Sequence, residues 1–236
     1  MKLLIIRPQP GNDASAKRAR EAGFDVIQFP FFEVRSRAWK APDPTGYDAL
    51  LITSANAIRH AGPQLGALRH LPVHAVGARS ADEARQSGLS VQSEGTGDAT
   101  QALQAAADAG HNRLLWLAGE DRQQLVPPIG MTVDQQVVYA SVPIEPDIAM
   151  AEAVRSTDVI ALHSARAARR LAALVDQWQI PRTSIVIACF SEAIADTAGS
   201  GWRAAAIADR PVDSALLSAV RCLATVGGET NIRDAH

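Results

Sequence analysis

Short runs of aliphatic and β-branched residues recur along the chain at 3–7, 25–29, 49–53, 73–76, 90–93, 113–117, 132–139, 158–163, 184–188 and 204–208. Most are separated by Ala-rich, helix-favouring stretches at 14–22, 55–65, 80–87, 99–109, 165–177, 192–198 and 214–224. Apolar runs of this length suit strands buried on both faces of a sheet, and helices between them allow the strands to run parallel. The pattern predicts an α/β protein with doubly wound parallel sheets. Two stretches interrupt it: 35–46, polar and holding Pro42 and Pro44, and 141–147, holding Pro143 and Pro146. Both read as connectors. The polar end, 226–236, reads as a flexible tail.

The pattern also repeats itself. Tyr47-Asp48-Ala49-Leu50-Leu51-Ile52-Thr53-Ser54-Ala55-Asn56-Ala57 lines up with Thr157-Asp158-Val159-Ile160-Ala161-Leu162-His163-Ser164-Ala165-Arg166-Ala167. Each is an Asp, a buried strand, then Ser-Ala-x-Ala opening a helix. Val76-Gly77-Ala78-Arg79-Ser80 lines up with the stretch Ala188-Cys189-Phe190-Ser191, which places Ser80 opposite Ser191 at two helix starts. Gly97-Asp98-Ala99 parallels Val212-Asp213-Ser214, an Asp N-cap before a helix. The opening strand with Arg7-Pro8 parallels Leu114-Leu115-Trp116-Leu117-Ala118-Gly119. The offsets stay near ~110 residues, the size of a small domain. One unit is used twice, and by the repeat alone the chain divides into two sequential halves.

Composition narrows the function classes. Hydrophobic residues make up 47% and charged residues 20%, which supports globular cores and excludes extensive disorder. The net charge of −2 argues against nucleic acid as a partner, because phosphate binding needs a basic field. A local basic pocket for a small anion stays open. Cys189 and Cys222 both sit among apolar residues and read as small buried hydrophobes, with no disulfide or metal site expected. No stretch approaches the ~18 apolar residues of a membrane span, and the opening run is too short for a signal peptide. A cytoplasmic location, no membrane partner and a monomer are the expectation.

The recurring device is a strand followed at once by a small residue and a helix start. In a doubly wound sheet the carboxyl ends of the strands form the ligand crevice, and free N–H groups at helix starts suit carboxylate or phosphate. Ser54, Ser80, Ser164 and Ser191 hold that place and could add hydroxyl donors; simple N-capping is the competing role for each. Arg7 ends the first strand and suits an anion partner or solvent alike. Arg79, Arg122 and Arg166 are weaker cases of the same kind. Tyr139 ends a strand, where a phenol could donate a proton into a cleft or pack at a domain edge. No Walker A, G-x-G-x-x-G or G-x-S-x-G pattern is present, so nucleotide-phosphate and nucleophile-elbow chemistry have no motif support. His70 and His74 straddle Pro72 and do not share a helix face, so a metal site there is not expected.

The ordered set of motifs resembles the uroporphyrinogen-III synthase family over roughly 3–223 of the chain. Its marks are Ile6-Arg7-Pro8, Ile52-Thr53-Ser54-Ala55-Asn56-Ala57, Ala75-Val76-Gly77 with Ser80, Gly97-Asp98-Ala99, the run ending in Gly119 with Arg122, Val138-Tyr139, and His163-Ser164-Ala165-Arg166-Ala167. The resemblance implies that the halves exchange their opening segments, giving one domain from 1–35 plus 143–225 and another from 40–140. Paired links near 34–40 and 141–144 would join them as a two-stranded β connection. It implies a cofactor-independent lyase that dehydrates hydroxymethylbilane and closes it to uroporphyrinogen III with inversion of the last ring. Tyr139 matches a tyrosine suspected of assisting loss of hydroxide. Arg7, Ser54, Gly77, Ser80, Gly119, Ser164 and Ser191 match substrate-binding positions. Two other readings fit the same pattern: a two-lobed regulatory protein binding an anion or metabolite, and a sugar-phosphate enzyme of similar fold.

Overall fold

A computed structural model describes residues 1–122 and 124–229, with side chains through 223. The chain runs β1 (Lys2–Ile5), α1 (Gly11–Glu21), β2 (Asp25–Gln28), β3 (Phe32–Ser36), β4 (Ala49–Ile52), α2 (Ala55–Ala61), β5 (Val73–Ala75), α3 (Ala78–Gln86), β6 (Val91–Glu94), α4 (Ala99–Asp108), β7 (Arg113–Gly119) and β8 (Thr132–Pro143). It continues as α5 (Ile148–Arg155), β9 (Val159–Leu162), α6 (Ala165–Gln177), β10 (Val186–Cys189), α7 (Glu192–Ala198), β11 (Ala204–Ile207) and α8 (Asp213–Glu229). Two compact units result: Met1–Glu33 with the chain from Pro143 onward, and Val34–Val142.

The first unit holds a five-stranded sheet in the order β11-β10-β9-β1-β2, and every pairing is parallel. The second holds a six-stranded sheet in the order β3-β8-β7-β4-β5-β6. The strand pairs from β8 through to β6 are parallel. Buried aliphatic side chains on both sides of the central strands explain why both sheets are covered twice. Along β1, Leu4 and Ile6 join the core under α5, α6 and α7, while Leu3 and Ile5 join the core under α1 and α8. Along β4, Leu50 and Ile52 face α2 and α3, while Ala49 and Leu51 face α4.

The repeat is real in three dimensions, and it is exchanged. Outward from β1 the chain goes to β2, and outward from β9 it goes the other way to β10 and β11. In the second unit β7 goes to β8, and β4 goes the other way to β5 and β6. The strands β1-β2 therefore correspond to β7-β8, and β9-β10-β11 to β4-β5-β6. Each sheet combines the opening of one repeat with the remainder of the other, so the sequential halves drawn from the repeat alone are corrected. The repeated Asp does the same work in each: Asp48 accepts the backbone N–H groups of Asn112 and Arg113, both at 2.8 Å, and Asp158 accepts that of Lys2 at 2.8 Å. Each carboxylate fastens the amino end of the neighbouring exchanged strand.

Several local features depart from the sequence reading. Strand β3 occupies the start of the polar connector. Helix α5 was not anticipated; Asp147 caps it by accepting the Met150 N–H at 2.8 Å. Helix α2 stops at Ala61, because Gly62 takes a positive φ of 63° and Pro63 follows. Helix α8 continues to Glu229, so 226–229 are helical; the rest of the expected tail, 230–236, lies outside the described residues. Cys189 is buried as expected, and burial pushes its thiol up to about 12. Cys222 is exposed instead, on the outward side of α8.

His74, on β5, is fully buried and hydrogen-bonded to Ser93 at 2.7 Å and His111 at 2.8 Å. Burial, with His111 adding to it, lowers its pKa from 6.5 to about 4. A histidine lowered on folding contributes its stability above about 6.5 and loses it as pH falls toward about 4. That span corresponds to a loss on the order of 3 kcal/mol. Urea midpoints measured at pH 7 and pH 4.5 should differ less in His74→Gln than in the wild type; an identical gap would show that His74 does not carry this acid sensitivity.

Candidate active site

In an open parallel sheet the ligand crevice opens at the carboxyl ends of the two strands from which the chain departs in opposite directions. In the second unit those strands are β4 and β7. A cavity of about 550 Å³ lies there, lined by Thr53 and Ser54 after β4, Gly119 at the end of β7, Arg122 and Leu125 in the loop beyond, and Tyr139 on β8. Asp98 and Thr100 at the start of α4 form another part of its wall. Trp116 closes the floor, its indole N–H donating to the Thr53 hydroxyl at 3.1 Å. The Arg122 guanidinium donates to the carbonyls of Glu120 at 2.5 Å and Gly119 at 3.4 Å, which holds a cation beside the cavity.

Ser54 caps α2: its hydroxyl oxygen accepts the Asn56 N–H at 3.2 Å. Capping uses an oxygen lone pair and leaves the O–H able to donate. Capping and ligand binding are therefore compatible for this serine. Tyr139 is half-buried, its ring 6.1 Å from that of His60, and burial lowers the pKa of His60. Among the described residues no hydrogen bond engages the Tyr139 hydroxyl.

In the first unit the corresponding strands are β1 and β9, and their carboxyl ends carry Arg7, His163 and Ser164. Ser164 caps α6 by accepting the Ala167 N–H at 3.2 Å, as Ser54 caps α2. Asn12, fully buried, donates to the carbonyls of Ile5 at 2.8 Å and Arg7 at 2.9 Å, so it fixes the turn out of β1. Arg7 lies across Gly11, where a Cβ would come within 2.6 Å of its Nε, and donates to Ser15 at 3.1 Å. Ser15 donates to Asp213 at 2.9 Å, and Asp213 also accepts from Arg18 at 2.8 Å and meets His163 at 3.0 Å. Burial alone would raise the Asp213 pKa; the hydrogen bonds from His163, Arg18 and Ser15 overcome it and hold the carboxyl well below its ordinary range. Burial keeps His163 below its usual value despite Asp213, and the Arg7 charge adds to that. Asp213 is thus a buried hub joining α1, α8 and β9, where the repeat suggested only an N-cap like Asp98.

The matched serines need one correction. Ser191 is the N-cap residue of α7, but Ser80 lies inside α3, one turn beyond its N-cap Gly77, and is nearly buried. Ser191 therefore corresponds to Gly77, not to Ser80. Gly77 has extended backbone, and an added Cβ would meet only the Gly97 backbone at 3.9 Å, so a side chain fits there as it does at Ser191. Of the sequence-selected residues, the cavity in the second unit brings together Ser54, Gly119, Arg122 and Tyr139. Arg7 and Ser164 flank the equivalent point of the first unit, and Ser191 stands one strand away. Another cavity, of about 460 Å³, lies at the opposite, amino ends of β9, β10 and β11 and is walled by Val220 and Leu223 of α8. It is at the wrong end of the sheet for a crevice of this fold.

The match to known proteins follows the same lines. A family model described as uroporphyrinogen-III synthase HemD matches residues 13–218. This chain belongs to the uroporphyrinogen-III synthase family. Among solved structures, uroporphyrinogen-III synthetase from Helicobacter pylori superposes with a TM-score of 0.62 at 15% identity, covering 94% of this chain and 100% of that one. A mutant uroporphyrinogen III synthase from Thermus thermophilus gives 0.50 at 17% identity, covering 95% and 99%. No curated protein sequence matches the chain. The structural likenesses bear on the fold and the family model on the chemistry: cyclising dehydration of a linear tetrapyrrole, a lyase reaction of porphyrin and haem biosynthesis. The regulatory-protein reading is not favoured. Among the described residues no helix is long and apolar enough to cross a membrane.

Proposed function

We propose that the crevice at the end of β4 and β7 takes the reacting end of hydroxymethylbilane and that Tyr139 assists departure of its hydroxyl group. The observation that carries this is the position of a phenol with no protein hydrogen-bond partner among the described residues, in a cavity that also holds a cation and a serine O–H. Loss of hydroxide needs a proton or hydrogen bond on the departing oxygen, and the electron-rich pyrrole supplies the push. One weak acid and good placement are then sufficient. The proton from the phenol and the departing hydroxide leave as water, and the ring proton released on final closure returns to the phenolate. The carbocationic carbon is captured by the substituted carbon of the last ring, which gives the spiro intermediate whose rearrangement inverts that ring.

The substrate bears eight carboxylates, so binding is a matter of many donors. In the second unit Ser54, Arg122 and the Gly77 region supply hydroxyl, guanidinium and backbone N–H donors at strand ends; the first unit, taken by itself, offers Arg7, Ser164 and Ser191 at its own strand ends. Ser80, nearly buried, is the weakest member of the set and supports α3. No metal or organic cofactor enters this scheme, and the partner is the small-molecule substrate, acted on by a cytoplasmic monomer. Turnover of freshly generated hydroxymethylbilane by wild type and Tyr139→Phe tests the assignment. The loss should fall on kcat with KM held; equal rates would remove Tyr139 from the chemistry.

A further inference from the structure

We infer that Gly119 is a positioning residue for Tyr139, and that its missing side chain is what lets the phenol stand at the end of β7. This rests on the proposed role of Tyr139. A Cβ built on Gly119 would lie 2.6 Å from Cζ, 2.8 Å from the hydroxyl oxygen and 2.9 Å from Cε2 of Tyr139. Carbon atoms in contact sit about 3.5–4.0 Å apart, so an alanine and this ring position exclude one another. The glycine is not demanded by its backbone, since Gly119 is not among the residues with positive φ. The three atoms nearest to such a Cβ all belong to Tyr139.

The local backbone fixes this approach. The β7–β8 register shifts between Ala118 and Gly119, which sets Gly119 opposite Tyr139, and the Glu120 N–H donates to the Tyr139 carbonyl at 2.9 Å. The ring therefore lies back over the strand end beside it. A further neighbour, His60, is held by Ser36 at 3.1 Å and limits where the ring can go. Since the clashing atoms are the far end of a flexible side chain, Gly119→Ala should swing the phenol away and leave the fold intact.

The test is a double-mutant cycle. Gly119→Ala is expected to lower kcat at least tenfold, with KM within about twofold of wild type. In the Tyr139→Phe background the same change should cost little more, because the hydroxyl it displaces is already gone. Losses that multiply would overturn the inference and make Gly119 a substrate contact. An independent readout comes from ¹⁹F NMR of protein labelled with 3-fluorotyrosine, which has two tyrosines, Tyr47 and Tyr139. Gly119→Ala should move the Tyr139 resonance and leave that of Tyr47 in place. An unmoved Tyr139 resonance, or a variant that fails to fold, would overturn the positioning role. If Tyr139→Phe costs nothing, the catalytic reading fails while the ¹⁹F shift still decides whether Gly119 positions the ring.

Discussion

Tyr139→Phe is expected to lower kcat by about a hundredfold, the low end of what a positioned general acid contributes. The low end applies because the departing hydroxide is already expelled by an electron-rich pyrrole, so the phenol supplies only part of the driving force. A hundredfold corresponds to about 3 kcal/mol of transition-state stabilisation. The substitution removes one oxygen from a ring that stays against Gly119, so the cavity and the sheet around it are retained. Melting temperature should therefore hold while turnover falls. A fall in KM-dependent binding with kcat intact would instead assign the hydroxyl to a substrate carboxylate.

Asp213→Ala is expected to destabilise the protein by about 3–5 kcal/mol, as removal of one member of a buried charge network does. The carboxylate side chain is 6% exposed and meets Ser15, Arg18 and His163 from two other elements. Without it, the Ser15 hydroxyl and the His163 ring lose their partner in a place that water reaches poorly, and α8 loses one of its ties to α1. The pH dependence has a definite sign. Asp213 is held below its ordinary value, so its contribution is present above about 3.8 and is lost as pH falls through the lowered folded value. The deficit of the variant should be full at neutral pH and shrink in strong acid. Urea unfolding of wild type and Asp213→Ala across that range measures it; a deficit under about 1 kcal/mol at pH 7, as for an exposed ion pair, would show the network to be ornamental to stability.

The centres of the sheets were legible because burial on both faces leaves continuous aliphatic runs, as in β1, β4, β7, β9 and β10. Strand β3 was not, since Phe32-Glu33-Val34-Arg35-Ser36 alternates with charged residues and runs into a Pro-rich stretch. The duplication was legible in the paired Asp48 and Asp158, but not its exchange, because identical strand openings fit either sheet equally well. Ser54 and Ser164 could be placed because a strand, a serine and an Ala-rich helix are adjacent in sequence. Ser80 was misplaced because α3 begins at a glycine cap, and Gly77 carries no side-chain signal. The Asp213–His163 contact joins residues 50 apart, and the approach of His60 to Tyr139 depends on β3 lying beside β8. Such meetings follow from strand order, which local residue patterns do not encode.

The central claim is that this two-unit α/β chain closes hydroxymethylbilane with inversion of its last ring. Chromatographic separation of the isomers formed from freshly generated hydroxymethylbilane tests it directly: uroporphyrinogen III should predominate with the wild-type protein, and uroporphyrinogen I alone, the product of spontaneous closure, would contradict it.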